Sequence, residues 1–332
     1  MKKYSKQYKI LILIPLIFLG VSVDRVFAQT CSCAGAPLLG SQSAGANGAG
    51  NLLIGITYEF NQITNLYTGS EKLTNDTVER NTQSSLLEIN YGLTDRLSVS
   101  STISLVRKER ISGINIPSGS QLSTTTGVGD GLLLFRYTLS KQSLWNRYHF
   151  AVGGGTKAPL GTTSLINTTG QQFNADMQPG TGAWDGLIWN QAGVSLLPRS
   201  TMTISLTNSY RRTGTNERFT ENDDYRFGNE FLSNLAFNNA ITSRIAYTMN
   251  LRYRSTSSDQ RNKVNMPNTG GLWVSIIPDL FVSISETVNM KFSGQIPIYQ
   301  DINGTQPTTT YTFSASLFLN LNRLSNTFNH GI

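Results

Sequence analysis

Leu87-Glu88-Ile89-Asn90-Tyr91-Gly92-Leu93-Thr94-Asp95-Arg96-Leu97-Ser98-Val99-Ser100 is the stretch that decides the fold. Leu87, Ile89 and Tyr91 fall on one side of an extended segment, with Glu88 and Asn90 on the other. Beyond the turn, Leu97, Val99, Ile103 and Leu105 oppose Ser98, Ser100, Thr102 and Ser104. A period of two marks a strand with one apolar and one polar face. Gly92 to Arg96 is a tight turn, so the stretch is an antiparallel hairpin.

The same unit recurs from Asn51 to Leu321: strand, short turn, strand, long polar loop. Ile54, Ile56, Tyr58 and Phe60 oppose Gly55, Thr57, Glu59 and Asn61. Met202, Ile204, Leu206 and Tyr210 oppose Thr203, Ser205, Thr207 and Arg211. Tyr311, Phe313, Leu317, Leu319 and Leu321 oppose Thr312, Ser314, Ser316 and Asn320. The fourth strand alternates cleanly only in its second half, because Leu132 and Leu134 fall on its polar side. The sixth, around Ala183 to Val194, and the tenth, near Leu272 to Ile276, are the weakest. Short turns are predicted at Gly92–Arg96, Leu197–Ser200, Asn238–Thr242 and Pro278–Asp279, with a longer one at Ser140–Arg147. Long segments lie at about Gln62–Asn81, Lys108–Thr124, Pro159–Thr181, Arg212–Asp224, Ser255–Asn268 and Pro297–Thr308. Short periplasmic turns alternating with long extracellular loops are the asymmetry of an outer-membrane barrel. A sandwich gives no reason for long loops always at one end. The expected fold is an all-β, up-and-down transmembrane barrel of about twelve antiparallel strands, an even count that leaves both termini in the periplasm.

Composition agrees. Charged residues are 14% and hydrophobic residues 39% of the 332, whereas a soluble domain carries nearer a quarter charged. Residues 1–28 read as a cleaved signal peptide: Lys2, Lys3, Lys6 and Lys9 precede the apolar run Ile10–Val23, and Val26-Phe27-Ala28 supplies small residues at the cleavage site. Removing it leaves 22 basic against 19 acidic residues, so the formal +7 is largely a targeting artefact and argues for no nucleic-acid partner. No second apolar stretch is long enough for a spanning helix. A Cys/Gly/Ala/Ser-rich periplasmic leader (29–50), the barrel (51–321) and a periplasmic tail (322–332) complete the expected organisation. Cys31 and Cys33 admit a lipoprotein anchor, half of a soft-metal site or an exposed redox-labile pair; the last is the plainest.

Aromatic residues cluster near strand ends: Tyr58, Phe60, Tyr91, Phe135, Tyr137, Tyr148, Phe150, Tyr210, Phe227, Tyr247, Tyr253 and Tyr311. They suit two girdles at headgroup level, with cross-strand packing as the alternative. Glu286 fits badly. It falls on the apolar side of the eleventh strand, where a lipid-facing charge costs a few kcal/mol, so a bulge, a register change or a protein neighbour is expected there.

No catalytic constellation is present. His149 falls on a polar face without an assignable nucleophile, and His330 lies in the tail. No cluster has zinc spacing, and neither metal nor cofactor is implied. Gly153-Gly154-Gly155 lacks the Gly-Lys-Ser/Thr sequel of a phosphate loop and reads as a bulge, a bend or a lumen crossing. The alternation points Arg136, Arg211, Arg226, Arg244, Arg252, Arg254 and Lys291 into the lumen, with Glu88 and Glu230 as partial counter-charges. Two readings stay open: a water-filled pathway whose cations favour anions, and a closed lumen braced by Arg–Glu pairs. The first implies passive passage of small molecules, anions among them; the second implies a structural or adhesive barrel that presents Thr/Asn-rich loops. Expected partners are outer-membrane lipid and lipopolysaccharide, the barrel-assembly machinery and a small solute.

Three Gly-rich segments, Gly127-Val128-Gly129-Asp130-Gly131, Thr156-Lys157-Ala158-Pro159-Leu160-Gly161-Thr162 and Gly180-Thr181-Gly182-Ala183-Trp184-Asp185, resemble elements of the outer-membrane barrel family named for the meta-pathway of phenol degradation. The resemblance covers roughly Asn51 to Leu321. It implies a barrel that moves small, often hydrophobic, compounds across the outer membrane, and it identifies no substrate.

Overall fold

The computed structural model describes residues 48–74, 78–114, 119–141, 146–196 and 201–321. The expected signal peptide, Cys31, Cys33, His330 and the 322–332 tail lie outside the described residues, as do the Leu197–Ser200 turn and the middle of the Ser140–Arg147 connection.

Twelve strands form the wall: β1 (Leu52–Ile63), β2 (Val78–Gly92), β3 (Leu97–Ser112), β4 (Gln121–Val128, continued by Gly131–Ser140), β5 (Tyr148–Ala158), β6 (Asp185–Ser195), β7 (Thr203–Arg212), β8 (Glu230–Ala240), β9 (Ile245–Thr256), β10 (Gly271–Ser283), β11 (Val288–Thr308) and β12 (Tyr311–Leu321). Each pairs antiparallel with the next. β12 returns to β1, with Leu321 opposite Leu52 and Tyr311 opposite Gln62. Closure removes the row of unpaired N–H and C=O groups that an edge would expose, the condition for strands to stand in hydrocarbon.

The two faces sort as the alternation predicts. Ile56, Leu87, Ile103, Leu235, Leu251 and Leu319 are exposed on the outside, while Asn61, Glu88, Thr102, Asn234, Asn250 and Ser316 are buried within. Water-soluble proteins rarely expose more than a few hundred Å² of contiguous apolar surface; here such surface encircles the wall. Tyr91, Tyr137, Tyr148 and Tyr247 ring the end with the short turns, and Phe60, Tyr210, Tyr253 and Tyr311 ring the other. Girdle and cross-strand packing coexist: ring centroids of Phe60 and Tyr311 lie 6.2 Å apart, as do those of Phe231 and Tyr253. Phe227 belongs to neither girdle. It is buried with Ala175, Phe219 and Tyr225 among the extracellular loops.

The last third departs from expectation. Pro278-Asp279 is no turn but lies inside β10, opposite Met249 and Thr248. The chain reverses at 284–287, where the N–H groups of Ile284 and Ser285 both donate to the Val288 carbonyl. Glu286 therefore sits exposed in a short turn rather than on a lipid-facing strand. Pro297–Thr308 is no loop either; it continues β11, which climbs far enough to pair with Asn65–Gly69. Ser275 faces Pro297 but Val274 faces Tyr299, so Ile298 is an extra residue, and Ile298 and Tyr299 are both exposed. A bulge breaks the period of two and proline lacks a ladder donor, which makes this stretch read as a loop. Much of Lys108–Thr124 is likewise strand, a hairpin made by the ends of β3 and β4.

Gly153–Gly155 makes no bulge, since β5 pairs with β6 in unbroken register. The glycine-associated bulge is in β4: Val128 faces Leu105 and Leu132 faces Thr102, so Gly129-Asp130-Gly131 opposes only two residues. The bulge turns Asp130 into the interior.

Candidate lumen site

Buried charges step from strand to strand near the extracellular end. Lys157 on β5 reaches Asp130 of β4 at 2.7 Å and Asp185 of β6 at 3.3 Å. Arg211 on β7 lies 3.9 Å from Asp185 and 3.8 Å from Glu230 on β8. Arg254 on β9 meets Glu230 at 2.6 Å and lies over the Trp273 ring of β10 at 5.5 Å. The signs alternate along this belt, so each charge has an opposite charge on at least one side. Buried ions persist only with such pairing.

The belt also gathers the three Gly-rich segments. Asp130 accepts hydrogen bonds from Lys157 Nζ, the Gly161 N–H, the Thr181 N–H and the Thr181 hydroxyl. Gly161 and Gly180, the two stems of the loop between β5 and β6, cross in contact; a Cβ on either would stand 2.6 Å from the other's Cα. Only glycine allows that approach.

From this stem the loop folds into the mouth. Its 3₁₀ turn, Ala175–Met177, meets the inner side of β2, β3 and β4. Asp176 binds Arg80 at 2.6 Å and pairs with Arg110. Lys108 Nζ donates to the carbonyls of Asp176 and Gln178, each at 2.7 Å, and the Thr125 hydroxyl donates to the Met177 carbonyl at 2.6 Å. Burial pushes the Asp176 carboxyl up, but Arg80, Arg110 and Lys108 outweigh it and hold it below the ordinary carboxylate range. On its other side Ala175 packs against Phe219, Tyr225 and Phe227 of the next loop.

A second charged cluster lies nearer the periplasmic turns. Lys291 is 3.2 Å from Asp279. Asn250 donates to Asp279 at 3.0 Å, and Asn90 donates to Glu88 at 2.8 Å. Arg252 donates to Gln295 at 3.0 Å and lies within electrostatic reach of Asp279 and Glu59.

The predicted lumen residues therefore divide. Arg211, Arg254 and Glu230 come together in the belt; Lys291, Arg252 and Glu88 lie lower; Arg136 donates to Gln191 and sits over Trp189 at 5.8 Å. Arg226 and Arg244 do not line the wall. Arg226 lies in a small loop sheet, opposite Thr215 and Gln260 and bonded to Asn229. Arg244 is exposed in the short turn before β9. Sequence reasoning missed Glu59, Lys157, Asp130, Asp185 and Asp279 as counter-charges. Among the described residues below the mouth, Lys157, Arg211, Arg254 and Lys291 lie beside Asp130, Asp185, Glu230 and Asp279.

The interior also holds an apolar patch. Leu134 and Leu187 pack together with Leu132 beside them, and Trp189 lies next to them, buried over Gly153. A Cβ on Gly153 would stand 2.3 Å from the Trp189 ring. The leucines that spoiled the alternation of β4 are this patch. His149 is also interior, against Gly193.

A closed twelve-stranded wall, apolar outside and polar inside, with short turns at one end and folded loops at the other, defines an outer-membrane β-barrel. Among solved structures, an outer membrane channel from Pseudomonas putida F1 shares the fold: the TM-score is 0.66 at 14% identity, over 82% of this chain and 96% of that chain. The translocator domain of the autotransporter NalP from Neisseria meningitidis gives a TM-score of 0.44 at 9% identity, over 84% and 91% of the two chains. The NanC porin gives 0.44 at 10%, over 81% and 100%. No protein-family model and no curated protein matches the chain.

Proposed function

We propose that this barrel is a passive outer-membrane channel for small, weakly polar or hydrophobic molecules. The observation that carries the reading is the interior below the mouth: Lys157, Arg211, Arg254 and Lys291 lie beside carboxylates, and Leu132, Leu134, Leu187 and Trp189 form an apolar patch. Cations paired in this way give an anion little reason to pass below the mouth, whereas an apolar wall beside Arg136 suits a solute with a small polar end. The P. putida barrel of the same fold is described as an outer membrane channel, and the motif resemblance to the meta-pathway barrels points the same way. In this reading Arg211, Arg252, Arg254, Lys291, Glu88 and Glu230 brace the passage and Arg136 meets the solute. Lipopolysaccharide and the barrel-assembly machinery are the partners that such a wall requires.

The test is uptake of a radiolabelled small aromatic by cells making the protein, set against bilayer conductance. Arg136→Ala, which removes the polar partner offered to the solute, should lower uptake several-fold while the barrel stays folded. Strong anion-selective conductance that falls on Arg252→Ala would replace this reading with an anion pore. Absence of flux for any solute would leave the structural barrel.

A further inference from the structure

The inserted loop presents its one carboxylate to a set of cations that exceeds it. Arg80 and Arg110 both bind Asp176, and Lys108, two residues before Arg110 on β3, lies on the same inner face. The neighbouring carboxylate, Glu109, is engaged by Arg107 at 2.5 Å and Asn81 at 2.8 Å. The Nε atoms of Arg80 and Arg110 are buried and have no hydrogen-bond partner. A small cavity adjoins Arg80, lined also by Ile63, Asn81, Thr82, Lys108, Glu109, Asp176 and Met177. Two guanidinium groups with donors left over, one of them beside space, are equipped for more oxyanion oxygens than Asp176 supplies.

We infer that Arg80, Lys108 and Arg110 form a carboxylate-binding site at the extracellular mouth, that Asp176 is its resident tethered ligand, and that a small organic carboxylate competes for it and releases the loop. The geometry fits exchange rather than simple bracing. The stem is held separately, by Asp130 at Gly161 and Thr181, so the tip can leave while the stem stays anchored. Once the tip leaves, Lys108 loses its two carbonyl partners. Because Asp176 is tethered, its effective concentration is in the millimolar range, and the free competitor acts at that scale or above. Binding at this site does not depend on the channel reading; its consequence for flux does.

The test uses the full chain in detergent, with Cys31→Ser, Cys33→Ser and Met177→Cys, because Met177 is only 2% exposed. The rate of maleimide labelling reports departure of the tip. Asp176→Asn should raise that rate about tenfold or more, the change in opening that loss of a charge-assisted hydrogen bond brings. Acetate at tens of millimolar should raise it in the parent well beyond chloride at equal ionic strength. It should have little effect in Asp176→Asn or in Arg80→Gln/Arg110→Gln. Heat-modified gel mobility confirms that each variant retains its barrel. Labelling that responds equally to acetate and chloride, or that stays slow in folded Asp176→Asn, overturns the inference. A normal labelling response without any solute flux would sink the channel reading alone.

Discussion

Glu230→Ala should lower stability by about 3–5 kcal/mol, the cost of breaking a buried pair from one side. Glu230 is 2% exposed and lies between Arg254 and Arg211. Its removal leaves two cations facing each other in the interior, and the disturbance reaches Asp185 and Lys157 through Arg211. The urea midpoint of detergent-solubilised protein reads the loss. Asp223→Ala provides the contrast. Its partner Arg261 is 2.5 Å away, but that guanidinium is nearly half exposed, so a much smaller effect is expected. Equal effects at the two sites would show that the belt contributes nothing beyond an ordinary surface pair.

Leu251→Arg should cost about 2–4 kcal/mol, and the same substitution at Ile245 about 0–1 kcal/mol. Leu251 lies midway along β9, 44% exposed on the outer face, with Leu235 and Ile276 opposite it. Ile245 begins the strand beside the turn, where an arginine reaches headgroups. Urea unfolding from lipid vesicles separates the two. A loss that does not depend on depth would contradict a hydrocarbon layer around the wall.

The fold was legible because alternation survives wherever both faces carry their proper residue types, as in Leu97–Leu105 and Ile245–Tyr253. It failed where prolines interrupt paired backbone, at Pro278 and Pro297, since a proline in a strand looks like a stop. A signal for the true turn was nevertheless present. Leu93-Thr94-Asp95-Arg96, Ile241-Thr242-Ser243-Arg244 and Ile284-Ser285-Glu286-Thr287 share an apolar residue followed by Ser or Thr. In all three the hydroxyl accepts the N–H groups two and three residues on. Reading the third by analogy with the first would have moved the turn off Pro278 and placed Glu286 in water.

The lumen charges were half legible. Alternation gives the side of a strand but not the height of a residue or its neighbour, so Arg211 and Arg254 could be turned inward without their partners. Asp130 stood in a Gly-rich strand entry and Asp185 at the start of one of the two weakest strands, where alternation does not fix the facing side. A bulge aims the first, and the β5–β6 register sets the second opposite Lys157. Asp176 carries no local signal, because its cations arrive from β2 and β3, far away in sequence.

Neighbouring residues in β9 face opposite media, hydrocarbon outside and the polar interior within. Single cysteines at positions 248 to 253, each carrying an environment-sensitive fluorophore in a background without Cys31 and Cys33, can be reconstituted in vesicles of brominated lipid. Quenching should be strong at 249, 251 and 253 and weak at 248, 250 and 252. Uniform quenching along the strand, or none, would contradict this division of faces.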